Sequence, residues 1–168
     1  LEGVPMEMRP IRLDEFVAGF VEEAALDSRT RGLEITAEQL TPVTVSADPE
    51  QLRRVLSNIL ENSIKYKAKE TGRLRITLEE SGRLTLADDG PGVPEEALPK
   101  LFDVFYRSDP ARKNPAGGSG LGLAIAAKAV QGMGGTIRAF NVPGGGLAIE
   151  ITLPKEEHGD AEDPDHRG

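Results

Sequence analysis

Three segments of this 168-residue chain carry groups that could do chemistry together. Residues 51–67 (QLRRVLSNILENSIKYK) offer two amides at helical spacing. Residues 88–94 (DDGPGVP) place carboxylates before a glycine turn, and residues 117–125 (GGSGLGLAI) form a glycine run that opens an apolar segment. An amide, a carboxylate and a glycine-lined helix start are the groups needed to hold a metal, an adenine and a polyphosphate.

The amides of the first segment lie on a predicted helix that follows Asp48 and runs to about Lys67. At about 100° per residue, Asn58 and Asn62 are neighbours at the edge of the apolar face, and Lys65 continues their line. That face is formed by Leu52, Val55, Leu56, Ile59 and Leu60. A pair of Asn residues is usually exposed or hydrogen-bonded locally. The nearby lysine and the other two motifs favour a different role, in which an amide oxygen binds Mg²⁺ and the lysine binds phosphate.

The second segment is a strand that ends at Asp88-Asp89 and continues into Gly90-Pro91-Gly92. Asp-Gly and Pro-Gly pairs are typical of ordinary turns, so the motif alone is weak. A carboxylate at a strand end that points into a pocket can accept a hydrogen bond from the amino group of adenine. Guanine presents a carbonyl at that position, and the same carboxylate would repel it.

The third segment places four glycines at the start of an apolar helix, where free N–H groups and the helix dipole favour an anion. They are Gly117, Gly118, Gly120 and Gly122. No Lys-Ser/Thr pair follows at P-loop spacing, and the run does not fit G-x-G-x-x-G, so neither a P-loop nor a Rossmann site is predicted. The preceding loop, residues 107–119, contains Arg107, Arg112 and Lys113 and is predicted to be a lid over phosphates.

The composition predicts one globular α/β domain, with 38% hydrophobic residues, 19 Gly and 12 Pro. The net charge of −8 disfavours nucleic-acid binding. Residues 155–168 hold six acidic residues against Lys155 and Arg167, so we expect a domain at 1–154 and a disordered acidic tail. The absence of cysteine excludes disulfides and thiolate metal sites. No membrane span or signal peptide is visible, and because Leu1 is not Met we expect a fragment of a longer protein.

Secondary-structure signals place the three segments within a regular order of elements. Helices are predicted at 13–31, 48–67, 95–101 and 120–132, and strands at 33–39, 44–47, 73–80, 83–89, 136–141 and 147–154. The last four strands form two predicted hairpins, with turns at Ser81-Gly82 and at residues 143–146.

The order and spacing of these motifs resemble the ATP-binding catalytic domain of sensor histidine kinases, within the superfamily of gyrase, mismatch-repair ATPases and heat-shock chaperones. The resemblance covers about residues 10–154. NILENSIKY (58–66) resembles the N box and DDGPGVP the G1 box; LFDVFYR (101–107) resembles the F box and GGSGLGLAI the G2 box.

The resemblance implies specific roles. Asn62 would be the Mg²⁺ ligand, Asp88 would bind the adenine amino group, and Asn58, Lys65 and Arg107 would act in catalysis. Contacts to the nucleotide would come from Asn58, Asn62, Lys65, Tyr66, Asp88, Gly90, Gly92, Val93, Phe102, Tyr106, Arg107, Gly118, Ser119, Gly120, Leu121, Gly122 and Leu123. Phe102 and Phe105 would anchor the lid.

Some positions depart from the family pattern. Asp89 stands where Asn is usual, which adds a charge near the nucleotide. Met133 replaces a frequent His, and Leu147 replaces a frequent Thr. In ATP-hydrolysing relatives the Asn58 position resembles one that holds a glutamate, which activates water. An amide cannot act as that base, so phosphate transfer to histidine is expected rather than rapid ATP hydrolysis.

The resemblance also implies a histidine acceptor on a preceding dimeric helical hairpin, and no such segment is present in this sequence. His158 and His166 lie in the acidic tail and are expected to be solvated. We therefore expect a chain that binds ATP and Mg²⁺ and phosphorylates the hairpin of its parent protein, for relay to an aspartate of a response regulator. The fragment is expected to be monomeric and cytoplasmic, without nucleic-acid or membrane contact, and its parent a homodimer that can be anchored in the inner membrane.

The expected fold is an α/β (α+β) two-layer sandwich of the Bergerat type, in which a mixed, largely antiparallel sheet carries about three main helices on one face. Two rival functions are less favoured by the motifs. A degenerate nucleotide-sensing module is disfavoured by intact Asn62, Lys65, Asp88 and glycines. An anti-sigma-type serine kinase of the same superfamily would be expected to carry Glu at position 58, where this chain has Asn.

Overall fold

A computed structural model describes residues 5–104 and 121–156 of the chain. Its strands and helices follow one another as β1 (Arg9–Arg12), α1 (Leu13–Thr30), β2 (Leu33–Leu40), β3 (Thr44–Ala47), α2 (Pro49–Lys65), β4 (Gly72–Leu78), β5 (Arg83–Asp88), a 3₁₀ helix (Glu95–Lys100), α3 (Gly122–Gly132), β6 (Thr136–Asn141) and β7 (Leu147–Thr152).

Five of the described strands form the main sheet, in the order β2-β4-β5-β7-β6. Strands β2 and β4 are parallel, and the crossover connection that a parallel pair needs contains β3 and α2. The other pairs in this sheet are antiparallel. Strands β1 and β3 form a separate antiparallel pair. The predicted mixed, largely antiparallel sheet is confirmed.

The core lies between this sheet and the three α-helices of the described residues. Strand β4 shows why the layers form, because Leu74, Ile76 and Leu78 are buried while Arg73 and Arg75 on the opposite face are exposed. All five residues of the predicted apolar face of α2 are buried: Leu52, Val55, Leu56, Ile59 and Leu60. The two-layer α/β sandwich with helices on one face is therefore as the sequence predicted.

Several local features differ from the sequence predictions. Strand β1 was not predicted, because its sequence RPIR is short and mostly exposed. The helix after Pro94 is a 3₁₀ helix that contains Pro99. Lys155 and Glu156, assigned to the tail by sequence, are attached to β3 through a bridge between Lys155 and Val45 and a hydrogen bond from the Glu156 N–H to the Thr44 carbonyl. The rest of the predicted tail, with His158 and His166, lies outside the described residues, and the division into domain and tail stays a prediction.

Asp48 joins the start of α2 to the preceding chain. Its Oδ1 accepts hydrogen bonds from the N–H groups of Glu50 at 3.0 Å and Gln51 at 3.3 Å, which confirms the predicted N-cap. Its Oδ2 accepts the N–H of Glu7 at 2.8 Å. The carboxylate is only 7% exposed, so these backbone donors satisfy it where water has little access.

Replacement of Asp48 by Ala should lower the free energy of unfolding by about 1–2 kcal/mol, since it removes the cap of α2. Asp48→Asn is the matched control, because its amide oxygen still caps the helix and only the bond from Glu7 is lost. Urea denaturation of both variants measures the difference. Equal stability of the Ala and Asn variants would show that the cap contributes nothing.

Candidate functional site

The polar stripe of α2 reaches the surface beside the buried apolar face. Asn58, Asn62 and Lys65 are all half-buried and lie on consecutive turns. Within the described residues, neither the two amides nor the Lys65 ammonium makes a hydrogen bond or an ion pair. The local hydrogen bonds that are common for an Asn pair are therefore not made within the described residues. These side chains remain able to bind a ligand.

Asp88, the last residue of β5, holds its carboxylate at the edge of the sheet. Its Oδ1 accepts the N–H of Gly90 at 2.9 Å and the N–H of Leu147, the first residue of β7, at 3.0 Å. Its Oδ2 is 3.4 Å from the hydroxyl of Ser63, which donates to it. Because each carboxylate oxygen can accept about two hydrogen bonds, Oδ2 retains capacity for a further donor, such as the amino group of adenine.

The two neighbouring carboxylates have different electrostatic environments. Burial raises the pKa of Asp88, although the N–H groups of Leu147 and Gly90 and the Ser63 hydroxyl act in the opposite direction. Burial would also raise the pKa of Asp89, but the N–H of Arg73 at 2.9 Å and the ammonium of Lys69 at 3.4 Å outweigh it and lower that pKa. Through these two contacts Asp89 connects the start of β4 to the loop that precedes it. The charge that the sequence analysis placed near the nucleotide therefore has a structural role.

Backbone contacts fix the loop that follows Asp88. The side chain of Asn141 accepts the N–H of Val93 at 3.0 Å and donates to its carbonyl at 2.8 Å. Gly92 has φ +74°, and a Cβ there would lie 2.7 Å from Asn141 Oδ1. Gly146 has φ +116°, and a Cβ there would overlap the carbonyl oxygen of Asp88. Glycine is required at both positions because a side chain would displace this loop or the strand end.

Two of the three sequence segments meet at the C-terminal end of α2. Ser63 is 4% exposed and joins α2 to Asp88. A Cβ at Gly90 would lie 3.2 Å from the carbonyl oxygen of Tyr66, the C-cap of α2, whose side chain is 39% exposed. The C-terminal end of α2, which carries Lys65, therefore lies next to the Asp88 carboxylate.

The third segment is described from Leu121 onwards. Leu121 is the N-cap of α3 and Gly122 its first residue, and a Cβ at Gly122 would meet no atom of the described residues within 4 Å. Packing among the described residues therefore does not require glycine at 122, and close approach of a ligand stays its predicted use. Leu123 is 8% exposed and lies in the hydrophobic core, and Phe102 is half-buried against that core. Phe105, Tyr106, Arg107, Gly118, Ser119 and Gly120 lie outside the described residues, and their assigned roles stay predictions.

Three residues of this site were not predicted. Ser63 follows Asn62 directly, but only its 3.4 Å contact with Asp88 reveals its position. Asn141 and Gly146 come from the second hairpin, whose glycines the sequence analysis assigned only to a turn. The signal that was available is the run Gly144-Gly145-Gly146, which is longer than a hairpin turn needs.

The polar stripe on α2, the carboxylate at the end of β5 and the glycine turns around it all lie within the segment that matches a known family. The family described as histidine kinase-, DNA gyrase B- and HSP90-like ATPase matches residues 47–157. The chain belongs to this family. The resemblance stated from the N, G1, F and G2 boxes is confirmed.

Individual relatives of this ATPase domain are sensor histidine kinases. The chain is 40% identical over 158 residues to the signal transduction histidine-protein kinase BaeS of Escherichia coli K12, covering 92% of this chain and 32% of BaeS. The solved mycobacterial sensor histidine kinase MprB superposes with a TM-score of 0.72 at 31% identity, covering 88% of this chain and 99% of that one. Full-length ShkA, solved in complex with AMPPNP, superposes with a TM-score of 0.72 at 25% identity, covering 90% and 32%. The chain therefore spans about a third of the length of BaeS.

The described helices of this ATPase domain include none with both the length and the apolar composition that a bilayer span requires.

Because the pKa of Asp88 is raised, the free energy of unfolding is predicted to depend on pH through this residue. Because the folded chain holds the Asp88 proton more tightly than the unfolded chain, whose value is near 3.8, the stability contributed by this group is lost as pH rises through the folded pKa. The free energy of unfolding of Asp88→Asn, relative to the unmutated chain, should therefore increase as the pH rises above about 4.

Urea denaturation of both chains at a series of pH values measures this difference. Other carboxylates titrate alike in the two chains and cancel. Asn keeps an oxygen for the N–H groups of Gly90 and Leu147, so the fold is expected to be retained. A difference that does not change with pH would contradict the buried environment of Asp88.

Proposed function

We propose that this chain binds Mg·ATP and donates its γ-phosphoryl group to a histidine side chain on a helical hairpin elsewhere in a longer protein. The observation that carries the proposal is the contact of Ser63, on the helix that bears the polar stripe, with the buried carboxylate of Asp88. Membership of the ATPase family and the names of the sensor kinase relatives support it. ShkA, which shares the fold, is solved with AMPPNP bound.

Adenine selection would depend on Asp88. Its Oδ1 is engaged by two backbone donors, so the carboxylate cannot rotate freely, and Oδ2 retains capacity to accept the exocyclic amino group. The loop at Gly90 and Gly92 lets the backbone approach the base, since neither residue has a side chain. Guanine would place a carbonyl oxygen against the carboxylate and be rejected.

The phosphates would lie beside the α2 stripe. The amide oxygens of Asn58 and Asn62 are hard ligands without partners among the described residues, and these fit a Mg²⁺ site with few protein ligands, Asn62 being the assigned one. When bound there, Mg²⁺ would neutralise phosphate charge. Lys65 would contact phosphate oxygens as a point charge. The glycines at the start of α3 and Arg107 of the lid complete the proposed phosphate contacts.

In the transfer itself, a ring nitrogen of the acceptor histidine would attack the γ-phosphorus while the bond to the bridging oxygen breaks and ADP leaves. Neutral imidazole is already a nucleophile, so no base is required. Asn58 is consistent with this, because an amide does not remove a proton from water. Positioning and charge neutralisation would supply the catalysis.

The remaining parts of the proposal concern the longer protein. The phosphoryl group would pass from the histidine to an aspartate of a response regulator, and the hairpin would make the parent a homodimer. The domain would act in the cytoplasm, as a monomer when isolated, with its parent able to be anchored in the inner membrane.

Two measurements test the proposal in order. Calorimetric titration with AMPPNP, with and without Mg²⁺, should show saturable, magnesium-dependent binding. Incubation with labelled ATP and a cognate helical hairpin should then give phosphate on histidine, which is stable to alkali and lost in acid. Binding without phosphohistidine would support a nucleotide-sensing module instead. Acid-stable phosphate on serine would support a serine kinase.

Asn62→Ala should remove the magnesium-dependent part of AMPPNP binding, with a loss of affinity of about tenfold or more, equivalent to about 1.4 kcal/mol. The metal ligand is lost, while the fold is kept because the side chain makes no bond within the described structure. Gln51→Ala removes a similar amide from the other end of α2 and is the matched control. Titration with and without Mg²⁺ measures both. Normal binding by the Asn62 variant would refute the metal assignment.

Asp88→Asn should weaken ATP binding about tenfold and reduce the preference for ATP over GTP, because a charge-assisted hydrogen bond to adenine is lost. Asp89→Asn is the control, since Asp89 binds Lys69 and the Arg73 N–H instead. Competition between the two nucleotides for each variant gives the selectivity. If the Asp88 variant kept the selectivity of the unmutated chain, its role in base recognition would be wrong.

A further inference from the structure

A bidentate ion pair lies beside the α2 stripe and joins it to α1. Arg31, the C-cap of α1, donates from Nη1 to Glu61 Oε2 at 2.8 Å and from Nη2 to Glu61 Oε1 at 2.7 Å. A weaker contact of 3.4 Å links Nη1 to Asp27. Both carboxylate oxygens of Glu61 are therefore engaged by one guanidinium in the two-pronged geometry that Arg favours.

Glu61 is placed where it could disturb the stripe. It immediately precedes Asn62 and is four residues before Lys65, so the side chains of Glu61 and Lys65 are neighbours on α2. Glu followed by Lys four residues later is the favourable order for a helical ion pair. The hydrogen bond from Arg31 is the largest cause that lowers the pKa of Glu61, and the Lys65 charge is a smaller one. The lysine is thus close enough to be attracted, but its ammonium makes no ion pair in the described structure.

We infer that Arg31 is a positioning residue for phosphate binding: it occupies Glu61 and so leaves Lys65 free to contact the polyphosphate. The inference rests on the proposed function, since it is there that Lys65 contacts phosphate. Without Arg31, the Glu61 carboxylate would pair with Lys65 and add a negative charge beside the phosphates. Arg31 makes no hydrogen bond or ion pair with Asn62 or Lys65 in the described structure, so its proposed effect is exerted through Glu61.

A purely structural role for the pair makes a different prediction. Exposed ion pairs contribute little to stability, and if this one only fastened α1 to α2, loss of either partner would have the same effect. Under the positioning role the two losses differ. Loss of Arg31 leaves the Glu61 carboxylate able to pair with Lys65 and weaken phosphate binding. Loss of the Glu61 charge instead removes the group that competes with phosphate for Lys65.

The test is calorimetric titration of Mg·AMPPNP into the full chain and three variants: Arg31→Ala, Glu61→Gln and the double variant. Arg31→Ala should weaken binding about threefold, as expected for one new helical ion pair and one released charge. Glu61→Gln should bind as well as the unmutated chain or better, and the double variant should match Glu61→Gln. Arg53→Ala is the control, because the 2.7 Å pair of Arg53 with Glu23 joins the same two helices away from the stripe.

Measurements with adenosine and with Lys65→Ala distinguish failure of the positioning role of Arg31 from failure of the proposed role of Lys65. The Arg31 effect should vanish for adenosine, which has no phosphates, and in a Lys65→Ala background. If Arg31→Ala and the double variant are equally weak, or if Arg31→Ala binds normally, the positioning role is overturned while nucleotide binding stands. If the unmutated chain does not bind Mg·AMPPNP, or Lys65→Ala binds it normally, the proposed role of Lys65 is wrong and the inference falls with it.

Discussion

The carboxylate of Asp88 is held at the end of β5 by two backbone N–H groups, and the geometry of the site depends on these bonds. One comes from Gly90, in the loop that follows, and the other from Leu147, at the start of β7. Gly146, just before β7, must lack a side chain because a Cβ there would overlap the carbonyl oxygen of Asp88. The carboxylate is kept where burial disfavours its charge. A carboxylate held in an environment that disfavours its charge, beside glycine turns, is typical of a site that recognises a ligand.

Much of the fold follows from local pattern. The spacing of the apolar residues predicted α1 and α2, and Asp48-Pro49 predicted where α2 begins. The order of strands in the sheet could not be predicted in the same way. The parallel pairing of β2 with β4 joins segments separated by β3 and α2, and nothing in either strand alone specifies that partner. Strand β1 carries too few apolar residues to signal a strand before its pairing with β3 is known.

The residues of the candidate site likewise fall into those that could be predicted from sequence and those that could not. Side chains whose chemistry is unusual for their element could be singled out from sequence, as with Asn58 and Asn62 in mid-helix and Asp88 before glycines. Residues that only support these side chains could not be singled out from sequence. Asn141 lies in an ordinary strand, and its two bonds to the backbone of Val93 depend on the arrangement of the sheet. Ser63 is a small polar residue on a buried face, and only its distance to Asp88 gives it a role.

Helix α2 couples the stability of the domain to the state of its site. Its apolar face packs in the core, its polar stripe is half-buried, and Ser63 of the same helix contacts Asp88. A shift of α2 that loosened the core would therefore also displace Asn62 and Lys65 from the carboxylate. A ligand that bridges the stripe and Asp88 would oppose that shift, since it binds only the folded arrangement. Under the proposed function, nucleotide binding would accordingly stabilise the packing of α2.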